Sequence, residues 1–167
     1  MIEGRMKESI HTSTDQIVVF TLDEQLFALP LIAVVKVIHA IEIRHLPKAP
    51  EIITGIINVR GRIIPVIDIR KRLGMLTREI DLNDRLIIAD TGKREVAILV
   101  DSVTGIIDLE PRQLDLAKKS APYAEHIRGA AKTEDGMILI YDLGGFLNLE
   151  EEKDLALAAS KFGYKNI

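Results

Sequence analysis

Hydrophobic positions along the chain come in short runs that are rich in valine and isoleucine, and most runs end at Asp, Gly, Pro or Asn. Such runs are typical of strands that are buried on both faces, because β-branched side chains pack well on a pleated sheet. The spacing of the runs predicts roughly nine or ten short strands, arranged as a barrel or a sandwich. We therefore expect an all-β protein.

Turn residues join neighbouring runs into hairpins. The predicted strand pairs are 17–22 with 26–29, 56–59 with 63–67, 86–89 with 96–100, and a last pair that joins through Asp135-Gly136 into 137–141. The turn at Arg60-Gly61 is tight and needs the backbone freedom of glycine.

Helical signals are confined to connectors and to the end of the chain. We expect a turn or two of helix over 31–36 after Pro30, and another over 69–73 that ends at Gly74. The segment 146–162 predicts a terminal amphipathic helix with acidic residues near its start, where the helix dipole favours them. The segment 118–126 is predicted to be a loop.

A weak internal repeat bears on the architecture. Ala28-Leu29, Val34 and Val37-Ile38 recur at one constant offset as Ala97-Ile98, Val103 and Ile106-Ile107, and 63–68 resembles 137–142. The repeat is either a chance match in an aliphatic-rich chain or the sign of two similar small barrels.

Composition narrows the function. With 167 residues, 47% hydrophobic content and a net charge of −3, the chain can bury a core but lacks the basic excess that non-specific binding to nucleic acid or anionic lipid requires. The chain has no cysteine, which excludes disulfides and thiolate ligands. No apolar run reaches ~18 residues, so we expect no membrane insertion and no signal peptide. Residues 1–5 read as the remnant of a protease-recognition tag before a native start at Met6.

Aspartates at strand ends are the main candidates for catalysis. Asp68, Asp101 and Asp142 each end an apolar run, and capping of the following turn is favoured over convergent acid–base chemistry. Asp90-Thr91-Gly92 matches the opening of an aspartic-protease site, which would require a homodimer here. The Lys93 that follows favours an ordinary hairpin turn.

Metal and nucleic-acid sites have little support. His11, His39, His45 and His126 lack ligand spacing, and no phosphate-binding glycine loop is present, so we predict no metal and no cofactor. The basic cluster of Arg60, Arg62 and 70–72 has no aromatic residues interleaved with it, as a base-stacking surface would. We interpret it as a solvated hairpin tip and helix face, with protein recognition as the next alternative.

Residues 55–68 read GIINVRGRIIPVID, a strand, a tight turn and a second strand in which Pro65 cannot donate a ladder hydrogen bond. This segment closely resembles the signature G-[IV]-x-N-[LV]-R-G-x-[IV]-x-P-[IV]-x-[DN] of the CheW-like coupling family. The segments 20–22, 27–29 and 34–37 are similar to the family's opening hairpin and connector, and 96–103 is similar to its second-lobe strand. The resemblance extends from about 15 to about 149.

The resemblance implies two intertwined five-stranded SH3-like barrels with short connector helices, spanning 15–149. The amphipathic pattern described above adds a C-terminal helical tail over 150–167. It implies an adaptor without catalytic activity, which couples methyl-accepting chemoreceptors to the histidine kinase CheA. One surface would bind the kinase regulatory domain and a groove would bind the helical tip of the receptor. The location would be cytoplasmic, at membrane-associated receptor arrays.

The resemblance also selects candidate contact residues. Asn58, Arg60 and Gly61 match the central motif, and we add the adjacent Arg62. Family members contact partners at the positions of Val34, Val35, Lys36, Val37 and Val103. Lys36 departs from the family, which often has an acidic residue there that pairs with the motif arginine. A homodimeric hydrolase using Asp90 and a small-barrel nucleic-acid binder using 70–72 are the alternatives.

Overall fold

The computed structural model describes residues 16–110, 113–116, 127–164 and 167. The predictions for residues 1–5, for His11 and His126 and for the loop 118–126 lie outside this part. The described residues form eleven strands: β1 (Gln16–Leu22), β2 (Gln25–Pro30), β3 (Val34–His39), β4 (Ile53–Val59), β5 (Arg62–Ile67), β6 (Arg85–Asp90), β7 (Glu95–Val100), β8 (Ser102–Asp108), β9 (Leu114–Leu116), β10 (Ile127–Thr133) and β11 (Gly136–Tyr141). All predicted hairpins are confirmed.

The strands form two sheets, which we call the first and second lobes. The first lobe has the order β8-β1-β2-β11-β10-β9, and the second has the order β3-β6-β7-β5-β4. Strand β3 follows β2 in the chain but pairs with β6 of the second lobe, and β8 follows β7 but pairs with β1 of the first. The second lobe thus consists of the consecutive strands β3 to β7, and the first lobe combines β1 and β2 with β8 to β11 from the later part of the chain. The chain passes from the first lobe into the second and back, which makes the lobes intertwined, as predicted.

The two lobes repeat one strand order, and this accounts for the sequence repeat. In the first lobe the edge strand β8 pairs with the β1–β2 hairpin, and β2 runs parallel to β11 of the β10–β11 hairpin. In the second lobe the edge strand β3 pairs with the β6–β7 hairpin, and β7 runs parallel to β5 of the β4–β5 hairpin. The repeated Ala-Leu and Ala-Ile pairs lie on the equivalent strands β2 and β7, and the repeated valines lie on β3 and β8. The short β9 extends the first sheet beyond the shared pattern.

Most strands bury both faces, which explains their continuous apolar runs. Ala97 on β7 faces the interior of the second lobe, whereas Val96 and Ile98 on the same strand face a cluster between the lobes. We call this the central cluster. It includes Phe20, Phe27, Tyr141 and Phe146. Each fully buried aliphatic side chain stabilises the fold by about 1.5–3 kcal/mol.

The connectors depart from the sequence prediction at one place. A 3-10 turn covers Leu31–Ala33, but the predicted helix over 31–36 is wrong beyond Ala33 because β3 begins at Val34. The valines of β3 pair with strand β6, which lies about fifty residues further along the chain. Because this partner is distant, the strand is not visible in the local sequence pattern.

Two α-helices are present in the described part of the chain, and a second 3-10 turn covers Leu143–Gly145. Helix α1 (Ile69–Arg72) has Asp68 as its N-cap, and the Asp68 carboxylate accepts a hydrogen bond from the Arg70 backbone N–H at 3.0 Å. Helix α2 (Leu149–Lys161) has a capping box between Asn148 and Glu151. It buries three apolar residues: Leu155, Ala158 and Ala159. Neither helix has the length and apolar character needed to cross a membrane.

Candidate functional site

The hairpin of β4 and β5 displays the central motif at its tip. The strands register Asn58 with Ile63 and Val59 with Arg62, which leaves Arg60 and Gly61 as a two-residue turn. Both turn residues have positive φ, +52° and +84°, as the tightest hairpin turns require. The Asn58 Oδ1 accepts a hydrogen bond from the Gly61 backbone N–H at 2.8 Å. This bond fixes the turn and holds Arg60 out at the tip.

The two arginines of this hairpin differ in what they offer to a partner. Arg62 forms an ion pair with Glu95 of β7, so its charge is balanced. Arg60 is exposed and has no ion pair or side-chain hydrogen bond with any of the described residues. Of the basic residues in the motif, Arg60 is therefore the one available for an intermolecular contact.

Strand β3 is an open edge of the second lobe. It pairs only with β6 within the described residues, and a register shift between Val34 and Lys36 leaves Val35 in a bulge. Val35 is 49% exposed and Val37 is 40% exposed, with the exposed Lys36 between them. An edge strand with exposed apolar side chains is a common surface for binding another polypeptide.

Val34 and Val103 occupy equivalent positions in the repeat, at the starts of β3 and β8. Both are half-buried and pack against the central cluster. The motif residues Asn58, Arg60, Gly61 and Arg62 gather at one hairpin tip, whereas β3 lies at the other end of the same sheet order. The predicted contact residues thus form two surfaces, and partner contacts at both remain predictions.

Two clefts flank the hairpin, and both include residues that sequence reasoning missed. One, of about 780 Å³, is lined by Gly61 and Arg62 together with Tyr164 and Ile167 from the end of the chain. The other, of about 410 Å³, is lined by Asn58 and again by Tyr164. The one sequence feature that could have indicated these residues is Tyr164, an aromatic residue just after the predicted terminal helix.

A network of ion pairs joins the two lobes. The Arg70 Nη2 donates to Asp23 Oδ1 at 3.0 Å, in the β1–β2 turn, and to Asp101 Oδ1 at 2.7 Å, between β7 and β8. Arg78 pairs with the same Asp101 and with Asp84. The Arg70 residue is 3% exposed, so its interpretation as part of a solvated helix face is wrong.

The network shifts the pKa values of its members. Burial lowers the pKa of Arg70, but hydrogen bonds to Asp101 and Asp23 raise it by more, so the net pKa is raised. Burial raises the pKa of Asp101, but hydrogen bonds from Arg70, the Asp23 backbone N–H and Arg78 outweigh this, so the net pKa is lowered. Both groups therefore stay charged, and the network is structural in character.

The other two basic residues of α1 also have partners within the chain. Arg72 donates to the Phe146 carbonyl oxygen at 2.6 Å and forms an ion pair with Glu151 of α2. The Lys71 Nζ donates to the Glu51 carbonyl oxygen at 2.8 Å. These side chains are engaged within the chain, which gives the nucleic-acid alternative no support.

Two of the three strand-end aspartates, Asp68 and Asp142, cap the turns that follow them. The capping prediction is wrong for Asp101, whose carboxylate accepts from Arg70, Arg78 and the distant Asp23 backbone N–H. The carboxylate of Asp90 also caps locally. Asp90 Oδ1 accepts from the Gly92 backbone N–H at 2.8 Å within the β6–β7 turn, and Asp142 Oδ1 accepts from the Gly144 backbone N–H at 3.0 Å. The turn interpretation of Asp90 agrees with this geometry, and the hydrolase alternative gains no support from it. Among the described residues, no group of three or more His, Cys, Asp or Glu is arranged to hold a metal ion.

Comparison with known proteins identifies the family. The family model described as a CheW-like domain matches residues 16–151. Chemotaxis protein CheW of Thermotoga maritima is 36% identical over 126 residues, which cover 75% of this chain and 82% of the relative. Chemotaxis protein CheW of Rhizobium meliloti is 29% identical over 140 residues, which cover 83% of this chain and 90% of the relative.

A solved structure agrees with the fold. The scaffolding protein TtCheW from Thermoanaerobacter tengcongensis aligns with a TM-score of 0.76 and 34% identity, covering 83% of this chain and 95% of that one. The agreement confirms the predicted pair of SH3-like barrels with a C-terminal helix. The chain belongs to the CheW-like family of chemotaxis coupling proteins, which are adaptors and not enzymes.

Proposed function

We propose that this chemotaxis adaptor couples receptors to a kinase through two separate surfaces, the Arg60 hairpin tip and the β3 edge. The hairpin tip would contact the regulatory domain of the histidine kinase CheA. The β3 edge, with Val34 and Val103 beside the central cluster, would contact the helical cytoplasmic tip of a methyl-accepting chemoreceptor. The protein would act in the cytoplasm at receptor arrays, with 15–149 as the coupling domain and 150–167 as a tail.

The exposed Arg60 on a fixed turn is the observation that carries the kinase contact. Its guanidinium can donate two parallel hydrogen bonds to a carboxylate. The Asn58 to Gly61 hydrogen bond of 2.8 Å already orders the turn, so binding costs little further backbone entropy. The ion pair of Arg62 with Glu95 leaves Arg60 as the charged group for recognition.

The apolar edge supports a contact of a different kind with the receptor. Val35 and Val37 are 49% and 40% exposed, so a partner helix would remove substantial apolar surface from water. Lys36 between them favours an acidic residue on the partner. This pairing offers one explanation for a lysine where the family often has an acid.

Titration of the protein with a cognate kinase regulatory domain tests the kinase contact. Saturable binding is expected, and Arg60→Ala should weaken it by about 2 kcal/mol, or roughly thirtyfold, because truncation leaves a partner carboxylate without its cation. Arg128→Ala is the matched control, since Arg128 is an exposed arginine on β10 of the other lobe. Absence of binding to both kinase and receptor would contradict the proposal, and equal losses for the two variants would remove Arg60 from it.

A further inference from the structure

The tip of the β4–β5 hairpin projects beyond the rest of its sheet. Within the described residues, β5 pairs with β7 only at Val66 and Ile67, and the outer side of β4 is bridged only between Ile56 and Arg44. The pairs nearest the turn have no further strand beside them in this part of the chain: Ile57 with Ile64, Asn58 with Ile63 and Val59 with Arg62. A two-stranded hairpin is only marginally stable by itself. Contacts on the two faces of the hairpin must therefore hold the tip that carries Arg60.

One face of the tip is held inside the second lobe. Ile57 and Ile64 are buried in the interior of this lobe, and Val59 packs against the same cluster. Asn58 and Ile63 lie on the opposite face, because successive side chains along a strand alternate between faces. This opposite face is turned toward the central cluster, against which Ile63 packs. The support of this face must come from outside the interior of the second lobe.

Tyr164 lies on this opposite face. It is half-buried and packs against the central cluster, as Ile63 does. Tyr164 and Ile63 are the two residues that line both clefts beside the hairpin. The larger cleft includes Gly61 and the smaller one includes Asn58. The aromatic side chain therefore lies between the two clefts, against the face of the hairpin that the second lobe leaves uncovered.

The end of α2 fixes the position of Tyr164. Gly163 has a φ of +83°, and the Tyr164 backbone N–H donates to the Ala159 carbonyl oxygen at 2.9 Å. The Gly163 backbone N–H donates to the Ser160 carbonyl oxygen at 3.3 Å, so the helix ends in a Schellman motif. Ion pairs also anchor α2 to α1 and to the β6–β7 turn: Arg72 with Glu151 and Arg94 with Glu152. Tyr164 is thus presented to the hairpin by an ordered and anchored helix end.

We propose that Tyr164 is a positioning residue for the Arg60 hairpin. Its ring packs on the face that carries Asn58 and Ile63, and this packing keeps the tip, together with Arg60, in the orientation that binds a partner carboxylate. Because the packing is apolar, phenylalanine should replace Tyr164 and alanine should not. The effect on partner affinity rests on the proposed kinase contact, whereas the effect on the order of the tip does not.

Hydrogen exchange tests the order of the tip without any partner. Amide exchange over 56–66 would be followed by mass spectrometry on the full chain. We expect exchange about tenfold faster in Tyr164→Ala, because loss of the ring makes local opening of the tip easier, and wild-type rates in Tyr164→Phe. Exchange over 17–29, in the β1–β2 hairpin, should stay unchanged and so report an intact fold.

Phe162→Ala is the matched control for hydrogen exchange. Phe162 is an aromatic residue at the same helix end, but it is 48% exposed and lines neither cleft. Its replacement should leave exchange over 56–66 unchanged. The proposal would be overturned by unchanged exchange over 56–66 in Tyr164→Ala, by an equal increase in Phe162→Ala, or by an equal increase over 17–29.

A double-mutant cycle on kinase affinity tests whether Tyr164 acts through Arg60. In titrations with the kinase regulatory domain, Tyr164→Ala should weaken binding about fivefold when Arg60 is present and should have no effect in the Arg60→Ala background. Tyr164→Phe should bind like the wild type. Equal losses in both backgrounds would overturn the proposal, because Tyr164 would then act without Arg60. Wild-type affinity in Arg60→Ala would instead refute the kinase contact, and hydrogen exchange alone would then decide the role of Tyr164 at the tip.

Discussion

Replacement of Arg70 by methionine should loosen the junction between the lobes. The substitution keeps much of the side-chain volume and removes a guanidinium from a position that is 3% exposed. It breaks two charge-assisted hydrogen bonds, at 3.0 Å to Asp23 and 2.7 Å to Asp101. These two bonds link α1 to the β1–β2 turn and to the start of β8, which is the strand that crosses between the lobes.

The expected loss follows from the exposure of each partner. A hydrogen bond to a charged group contributes about 1.5–3 kcal/mol net. The Asp23 side chain is 51% exposed, so water replaces the lost contact and little stability is lost there. The Asp101 side chain is 23% exposed, so the loss of its ion pair with Arg70 costs stability. The ion pair of Asp101 with Arg78 remains in the variant and offsets part of this cost. We expect Arg70→Met to reduce the free energy of unfolding by about 2 kcal/mol.

Urea unfolding at pH 7 measures this loss. A double-mutant cycle with Arg70→Met, Asp101→Asn and the double variant should give a coupling energy of about 1 kcal/mol or more, because each single change removes the same contact. The reasoning is refuted if Arg70→Met unfolds within about 0.5 kcal/mol of the wild-type chain, or if the two changes are additive.

Three further outcomes are expected. The pKa of Asp101 in the folded chain is lowered from its ordinary 3.8, so the stabilisation by its carboxylate is present above about pH 4 and is lost as the pH falls through the folded pKa. In urea unfolding, the stability difference between wild type and Asp101→Asn should therefore become smaller from pH 7 to pH 3. A difference that stays constant over this range would contradict the prediction. Val37→Ser removes exposed apolar surface from the β3 edge, so it should weaken binding to a receptor tip fragment by several-fold and leave kinase affinity unchanged in parallel titrations. Equal weakening of both would contradict the assignment of receptor and kinase to two separate surfaces. Asn148→Ala removes the side-chain half of the capping box with Glu151 and should cost about 1 kcal/mol in thermal unfolding, and an unchanged midpoint would mean that the cap contributes nothing.

The sequence predicted well those features that local chemistry decides. Hairpins were found because β-branched runs and turn residues lie next to each other in the chain, as at Arg60-Gly61. The repeat was visible because the two lobes place similar residues at equivalent strand positions, as with Val34 and Val103. The turn at the tip of the candidate site was predicted for the same reason, whereas Asn58, which accepts a hydrogen bond from the Gly61 backbone N–H, was selected because it matches the family motif.

Features that depend on distant partners were missed. The segment 34–36 was assigned to a helical turn because its strand partner, β6, lies far along the chain. Arg70 and Arg72 read as solvated, yet Asp101 is 31 residues from Arg70 and Glu151 is 79 residues from Arg72. A local sequence pattern does not show which charged residues the fold will bring together. For the same reason it does not show that Tyr164, near the end of the chain, lines the two clefts beside the Arg60 hairpin.

Reconstituted signalling tests the central claim that the chain couples a receptor to a kinase through Arg60. Kinase autophosphorylation would be followed in mixtures of receptor, histidine kinase and this protein, with and without attractant. The account predicts that attractant controls the kinase with the wild-type chain and with Arg128→Ala, and that this control is lost or strongly reduced with Arg60→Ala. Receptor control that persists without the chain, or that is undiminished with Arg60→Ala, would contradict it.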